Sequence, residues 1–538
     1  MERTRIGLLL DGYTVPRWVH RLVEIVAAEN DVVVAVVNAA PPPPRLPFLK
    51  KLVARRDYLL YGVWRRIDDR LFATPDDAFE PADLSSLLSQ VPRIDVVPEQ
   101  TKFSDRLNEP DLERIRSYKP DILIRLGFRI LRGDVLRLAP HGVWSLHHGD
   151  NFVNRGGPPG VWEVLNNDLT TGSILQVLTE DMDGGVVLAR TWSGTDHISV
   201  NRSLQPMYWK TLHLIPRALR RLREVGPEEF MRQARERQEP YLYTHPLIKT
   251  PTTFELLPRL LSLGWRNARR WIKKTLKYEQ WMMFRGNTAV YRFERLVAPS
   301  HRTWWADPCV VEHEGKTVVF FEELPYGKRG HISVMDEAGV RRVLERPYHL
   351  SYPFVFPYAG HLYMIPESKE NRTIELYRCE SFPDKWQFVM NLMENVDAVD
   401  TTVWIRDSKV WLFAGMAPEP AVSACEELFL FHADTLLTRD WKPHPLNPVV
   451  SDIRRARPAG RIFEHNGKWY RPSQDCSGSY GRGLNINRID ALSESDYAET
   501  RVAALEARWD KGLTGVHTLS SAGGITYVDG FAERWKWQ

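Results

Sequence analysis

The stretch Gly142-Val-Trp-Ser-Leu-His147-His148-Gly-Asp150 decides how the first half of the chain is read. An apolar strand, Val143 to His147, ends there in a cluster of polar and titratable groups. Upstream, Pro120-Asp-Ile-Leu-Ile-Arg-Leu-Gly-Phe128 is a second strand closed by a glycine. Downstream come Arg155-Gly-Gly-Pro-Pro-Gly160, then Thr171-Gly-Ser-Ile-Leu-Gln-Val-Leu-Thr179, then Glu180-Asp-Met-Asp-Gly-Gly185. In open α/β sheets ligands bind outside the carboxyl ends of the strands. Titratable groups at such an end, beside glycine turns, are candidates for proton transfer.

Further out, the same alternation continues. Ile6 to Leu10 reads as the first strand, and Val15 to Glu29 as a helix with Val19, Leu22, Val23 and Val26 on one face. Asp31 to Val37 is an apolar run suited to a buried parallel strand. Pro41 to Pro44 stops regular structure, and residues 49 to 70 carry a basic, aromatic helix pattern. Strands follow at Ile122 to Leu126, Val143 to His147 and Ser173 to Leu178. Alternating strands and helices predict a doubly wound, mostly parallel α/β domain over residues 1–215.

The ordered series resembles the formyltransferase family, which includes methionyl-tRNA formyltransferase, glycinamide ribonucleotide formyltransferase and sugar N-formyltransferases. That family carries Asn-x-His on a strand, a loop ending in Arg-Gly, a Thr-Gly, and an Asp-x-Gly-x-Asp-x-Gly stretch. Ser145-Leu146-His147 takes the Asn-x-His place, Arg155-Gly156 the loop end and Thr171-Gly172 the next strand. Asp183 stands where the catalytic aspartate belongs. The departure is Ser145 for the family asparagine. The resemblance implies N10-formyltetrahydrofolate as formyl donor, with its pterin against backbone at Leu126, Gly127 and Phe128, where glycine permits close approach.

Formyl transfer to an amine needs a base near neutral pH, which suits His147. A buried carboxylate that fixes the imidazole tautomer suits Asp183. A donor must also meet the developing oxyanion. Losing one such donor costs about 3 kcal/mol, and a serine reaches less far than an asparagine. His148, a backbone N–H or a water would then compensate for Ser145. His148, Asp150 and Arg155 are expected to border the acceptor. His147, His148 and Asp150 also have metal-ligand chemistry, but adjacent strand residues point to opposite faces, so no metal is expected.

At 538 residues the chain exceeds one hydrophobic core. Hydrophobic residues at 43% and charged residues at 26% are those of a globular protein. A net charge of +4 is too mild to indicate nucleic acid by itself, and no nucleic-acid partner is expected. Cys309, Cys379, Cys425 and Cys476 form no Cys-x-x-Cys pair, and free thiols in a reducing cytoplasm are the simplest reading. No window approaches the roughly 18 apolar residues that span a bilayer.

Residues 216–285 read as a basic helical linker. Within it, 254–277 combine leucines and tryptophans with Arg266, Arg269, Arg270, Lys273, Lys274 and Lys277. Such a helix either lies on an anionic membrane surface or joins two domains with a solvated basic face. From residue 286 short strands recur between turns at Thr317–Phe321, His361–Ile365, Val410–Phe413 and Lys468–Arg471. A repeat of roughly 45 to 60 residues built from short antiparallel strands predicts a five-bladed β-propeller over 286–538.

Trp305-Ala-Asp-Pro308, Ser351-Tyr-Pro-Phe354, Asp400-Thr-Thr-Val-Trp404 and Arg457-Pro-Ala-Gly-Arg461 carry a resemblance to five-bladed propellers of the glycosyl hydrolase 43-like group. They are also similar to the N-terminal domain of plant glucosamine inositolphosphorylceramide transferases. The resemblance maps Asp307, Glu367 and Asp400 to the mouth of the axial channel as saccharide-binding carboxylates. Glycoside cleavage requires paired carboxylates. Asp307 and Asp400 equally suit turn caps bonded to backbone N–H groups. The whole then reads as a cytoplasmic N-formyltransferase acting on a nucleotide- or lipid-linked amino sugar of cell-surface polysaccharide. The alternatives are a glycosidase or glycosyltransferase working through the propeller, or a lectin-like scaffold.

Overall fold

The computed structural model describes residues 3–41, 47, 56–153, 156–181, 184–238, 247–287, 292–296, 298, 300 and 302–536. The chain forms two compact units, Met1–Gly264 and Trp265–Gln538.

The first unit is α/β. Its main elements are β1 (Arg5–Leu10), α1 (Arg17–Glu29), β2 (Asp31–Asn38), α2 (Leu59–Leu71), β3 (Arg93–Val96), α3 (Glu109–Arg116), β4 (Ile122–Arg125), β5 (Val143–His147), β6 (Thr170–Val177), β7 (Val186–Gly194), α4 (Val200–Thr211), α5 (Leu214–Val225), α6 (Pro227–Glu236) and α7 (Thr253–Leu276). Seven strands make one sheet in the order β7-β6-β5-β4-β1-β2-β3. The pairs β3–β2, β2–β1, β1–β4 and β4–β5 are parallel, whereas β5–β6 and β6–β7 are antiparallel. The chain runs outward from β1 through β2 to β3, then returns to the other side of β1 with β4. That reversal is the topological switch point of an open α/β sheet.

The apolar runs explain the sheet. Leu8, Leu9, Leu10, Val34, Val36, Leu123 and Val143 are buried, as parallel strands covered on both faces require. Helix α1 buries Trp18, Val19, Leu22, Val23 and Val26, the helical stripe in its sequence. Asn108 caps α3, its side chain accepting from Asp111 N at 2.9 Å, with Glu109 and Asp111 in the first turn and Arg114 and Arg116 in the last.

The stretch 216–285 does not stand apart as a linker body. Helices α5 and α6 pack with the first unit: Leu219 and Leu222 are buried, Phe230 of α6 stacks on Trp144, and Arg220 and Arg223 pair with Glu29. The boundary between the units falls inside α7, and residues 277–287 are a strand of the second unit. The arginine-rich composition hid an ordinary apolar stripe, Leu214, Ile215, Ala218, Leu219 and Leu222 in α5 and Phe230 and Ala234 in α6.

The second unit is β-rich. Its strands include β8 (Lys277–Asn287), β9 (Thr303–His313), β10 (Ser351–Tyr358), β11 (Ala398–Arg406) and β12 (Ile525–Trp535). Antiparallel sheets occupy residues 303–344, 351–394, 398–451 and 463–505. A fifth joins β8 to β12, from Lys277↔Trp535 to Gly286↔Thr526, so the first and last strands of the unit share one sheet. Strands β9, β10 and β11 break register at matching places, between Ala306 and Cys309, Ser351 and Phe354, and Val399 and Thr402. Asp307, Tyr352 and Asp400 sit at these bulges with φ of 53, 42 and 48°. Non-glycine residues in that region are held there by their surroundings, and such bulges re-aim side chains. Among the described residues no helix is long and apolar enough to cross a membrane.

Candidate functional site

Strand β5 ends at the carboxyl edge of the sheet, beside the switch point. Ser145 lies opposite Gln176 and His147 opposite Ile174 across β6. The two-residue period puts Ser145 and His147 on one face and Trp144 on the other, where Phe230 covers it. Ser145 is buried, and its Oγ accepts from Arg125 Nη1 at 3.1 Å. Arg125 also donates from Nε to the Arg129 carbonyl at 3.1 Å and from Nη2 to the Phe128 carbonyl at 2.9 Å. Burial lowers the Arg125 pKa, while Asp11 and Asp105 oppose that effect. Three of five guanidinium N–H groups are thereby engaged, and the cation rests against the serine that replaces the asparagine. Arg125 is the residue that reading the sequence missed. Its signal was an arginine closing the apolar run Ile122-Leu-Ile.

His148 faces away from this group. Its ring stacks on Tyr208 at 3.8 Å and meets Trp18 edge-on at 5.5 Å. Burial pushes its pKa down to about 3, and the neighbouring His147 acts in the same direction. His148 is therefore a neutral, stacked imidazole. Lying on the opposite face, it does not replace the asparagine amide, contrary to the expectation from sequence.

Asp150 is held inside the protein. Its carboxylate accepts from Trp192 Nε1 at 2.9 Å and Phe152 N at 3.1 Å, and faces Arg190 Nη1 at 3.5 Å. A Cβ on Gly172 would lie 2.6 Å from Asp150 Cβ, which explains the glycine of the Thr-Gly pair. The aspartate thus pins the loop after β5 to β7. Arg190 also donates to Asn151 Oδ1 at 2.8 Å. Asn151 Nδ2 and Gln176 Oε1 are buried without a hydrogen-bond partner among the described residues. An unpaired buried polar atom costs about 1–3 kcal/mol, so both atoms suit a bound ligand. Asp183 and Arg155 lie outside the described residues.

Leu126, Gly127 and Phe128 meet the protein itself. Leu126 N and Gly127 N both donate to Leu9 O at 2.9 Å, and Phe128 N donates to Asp11 Oδ1 at 2.7 Å. A Cβ on Gly127 would fall 2.3 Å from Asp11 N. The glycine is needed for close approach of β1 to the end of β4, and Phe128 is buried in the core at φ 62°. These three N–H groups are thus engaged within the protein.

In the second unit the three mapped carboxylates are buried and paired. Arg457 clamps Asp400 through Nε at 2.6 Å and Nη2 at 3.1 Å, and its Nη2 lies 3.3 Å from Glu367 Oε2. Gln474 Nε2 donates to Asp400 Oδ2 at 2.6 Å, and Tyr480 stacks over the guanidinium at 4.9 Å. Burial raises the Glu367 pKa well above the carboxylate range. Arg457 opposes this and Asp400 adds to it. Asp307 accepts from Thr518 Oγ1 at 2.8 Å and Tyr352 N at 3.2 Å. His517 bridges Asp307 at 3.3 Å and Asp529 at 2.5 Å beneath Trp281, whose ring lies 3.9 Å away. Burial raises the Asp307 pKa to about 7. His517 lowers it, and Asp400, Glu322 and Asp529 raise it further.

Burial disfavours the His517 imidazolium, but Asp529 and Asp307 together outweigh it and raise its pKa to about 9. Ligand atoms of Asp307, His517 and Asp529 lie within 4.8 Å of one another, close enough to hold a cation. At neutral pH the protonated imidazole already fills that role as a charged bridge. The cavity beside Asp307, Tyr352 and Arg461 is about 10 Å³, barely room for one water. That cavity is too small for a sugar ring.

Known proteins match the two units separately. The family described as the N-terminal region of glucosamine inositolphosphorylceramide transferase 1 matches residues 298–518. The transferase of that name from Oryza sativa subsp. japonica is 35% identical over 161 residues, 30% of this chain and 21% of the relative. The chain thus spans about a fifth of that relative's length. Methionyl-tRNA formyltransferase of Myxococcus xanthus (strain DK1622) is 37% identical over 81 residues, 15% of this chain and 26% of that protein. Among solved structures, glycinamide ribonucleotide transformylase 1 from Symbiobacterium toebii aligns at a TM-score of 0.27 and 14% identity, covering 40% of this chain and 86% of that one. The protein is multidomain, with a formyltransferase-like α/β region followed by a β-rich region.

Proposed function

We propose that the α/β unit transfers a formyl group from N10-formyltetrahydrofolate to the amine of a nucleotide- or lipid-linked amino sugar in cell-surface polysaccharide assembly. We read the five sheets of the β unit as the blades of a propeller that holds saccharide. The observation that carries the reading is the group at the end of β5: His147 beside Ser145, with Ser145 Oγ 3.1 Å from the Arg125 cation.

The folate would supply the formyl carbon. Its polar edge would find Asn151 Nδ2 as donor and Gln176 Oε1 as acceptor, two buried atoms without a hydrogen-bond partner among the described residues. His147 would accept the ammonium proton, leaving the amine lone pair free to attack the formyl carbon; the bond from that carbon to N10 would then break, with the proton returned from His147 to N10 of the departing tetrahydrofolate. Asp183 would orient that imidazole and stabilise its charged form. Arg125, seated on Ser145, would supply the positive potential that an asparagine amide gives in the family. The test is formyl gain by mass on amino-sugar acceptors, comparing wild type with His147→Ala. Equal rates in the two would remove His147 from the mechanism.

A second reading places carbohydrate chemistry in the β unit. Glu367, next to Asp400, has its pKa shifted in the direction a general acid needs. The Arg457 clamp on Asp400 and the His517 bridge at Asp307 favour holding sugar over cleaving it. Release of free sugar by the intact chain would reverse that order.

A further inference from the structure

We infer that α7, with α2 beside it, docks this protein onto an anionic lipid surface. Helix α7 buries only Leu256 and Leu263. On a different side it exposes Phe254 (88%), Leu257 (51%), Leu261 (68%), Trp265 (70%) and Ile272 (47%). Positions 254, 257, 261, 265 and 272 recur at helical spacing and form one stripe, flanked by Trp271 at 70% exposure. The helix therefore has two apolar sides, and the described residues cover only one.

Helix α2 repeats the pattern. Leu60, Tyr61 and Trp64 pack with Leu256, Leu260 and Leu263 in one cluster, and Thr253 Oγ1 donates to Asp57 O at 3.0 Å. The outer side of α2 shows Leu59, Val63, Ile67 and Leu71, four residues apart and 43–71% exposed. Helix α2 and the part of α7 that belongs to the first unit thus both present outward apolar stripes.

Charge selects the occupant. Helix α7 carries Arg259, Arg266, Arg269, Arg270, Lys273 and Lys274 against the single acid Glu255. Most of these bases fall along one flank of the exposed stripe. A second copy of the chain would oppose that charge with the same charge. A nucleic acid would meet the bases but leave exposed leucines and tryptophans in water. An anionic bilayer satisfies both features, with bases at the headgroups, tryptophans at the interface and leucines in the acyl boundary. Since α7 is not apolar enough to span, the contact is peripheral. The inference holds whichever reaction the protein performs.

The test is sedimentation of the full chain with vesicles of phosphatidylcholine alone and with about one third phosphatidylglycerol. Binding is expected only with the anionic lipid. It should weaken between about 0.1 and 0.5 M salt, and lipids brominated in the acyl chain should quench the tryptophan fluorescence. Neutralising one base near the surface lowers binding about fivefold, so Arg269→Gln/Arg270→Gln/Lys274→Gln should lower it about 100-fold. Trp265→Ser/Trp271→Ser should lower it and remove quenching. These side chains are exposed, and an unchanged circular dichroism melt checks that the variants fold. Equal sedimentation with both vesicle types, or variants that bind like wild type, would overturn the proposal. Concentration-dependent dimers abolished by Trp265→Ser, without vesicle binding, would assign the face to a second copy.

Discussion

Replacing Asp400 with alanine asks whether the carboxylates of the β unit hold the fold or wait for a ligand. Asp400 is 1% exposed and accepts from Arg457 Nε at 2.6 Å, Arg457 Nη2 at 3.1 Å and Gln474 Nε2 at 2.6 Å. Alanine would leave the Arg457 guanidinium buried with Glu367 as its nearest carboxylate at 3.3 Å. Breaking a buried pair by removing one partner costs about 3–5 kcal/mol. The freed Gln474 amide adds about 1–3 kcal/mol. A φ of 48° suits aspartate better than alanine, which adds about 1 kcal/mol. Allowing for overlap, the loss should be about 5 kcal/mol, a large part of the about 5–15 kcal/mol that a domain possesses. In urea, with a slope near 3 kcal/mol per molar, the unfolding midpoint should fall by about 1.5 M. Glu367→Gln should cost far less, because burial already favours the neutral form of that side chain and the amide keeps its shape. A midpoint shift for Asp400→Ala below about 0.3 M, with glycan binding abolished, would refute the structural role and return Asp400 to the ligand.

Arg125→Gln should lower the formyl-transfer kcat by about 10²–10³ with little change in KM, the signature of a contact made in the transition state; a change in KM alone would assign Arg125 to ground-state binding. The β unit should lose stability as pH rises. His517 is raised above its unfolded value, so its contribution is complete below about pH 6.5 and lost through about pH 9. Asp307, held up to about 7, removes stability in the same direction between about pH 4 and 7. A melting point that climbs from pH 6.5 to 9 would contradict this coupling. Gly127→Ala forces a Cβ to 2.3 Å from Asp11 N, a backbone atom that cannot swing aside, and should cost about 1–3 kcal/mol in denaturant titration.

Much of the α/β unit was legible because its signals are local. The runs Asp31–Val37 and Val143–His147 are continuous and apolar, and the strands fall where those runs lie. Val19, Leu22, Val23 and Val26 recur at helical spacing and are buried. Residues 216–285 misled because α5 and α6 are rich in arginine yet bury an apolar stripe, so composition outweighed periodicity. The roles of Asp150 and Gly127 were hidden for a different reason. Trp192 stands 42 residues beyond Asp150, and Asp11 stands far upstream of Gly127. In the β unit the bulged positions of Asp307 and Asp400 were visible as motifs. Their partners, Arg457 at 57 residues and Thr518 at 211, are brought in only by the fold.

The most direct measurement gives the purified full chain N10-formyltetrahydrofolate and a panel of nucleotide- and lipid-linked amino sugars, and follows acceptor mass. The account predicts gain of one formyl group on an amino-sugar acceptor, loss of that gain in His147→Ala, and a strong reduction in Arg125→Gln with the fold intact. No formyl gain on any acceptor, together with no folate binding by calorimetry, would contradict the central claim.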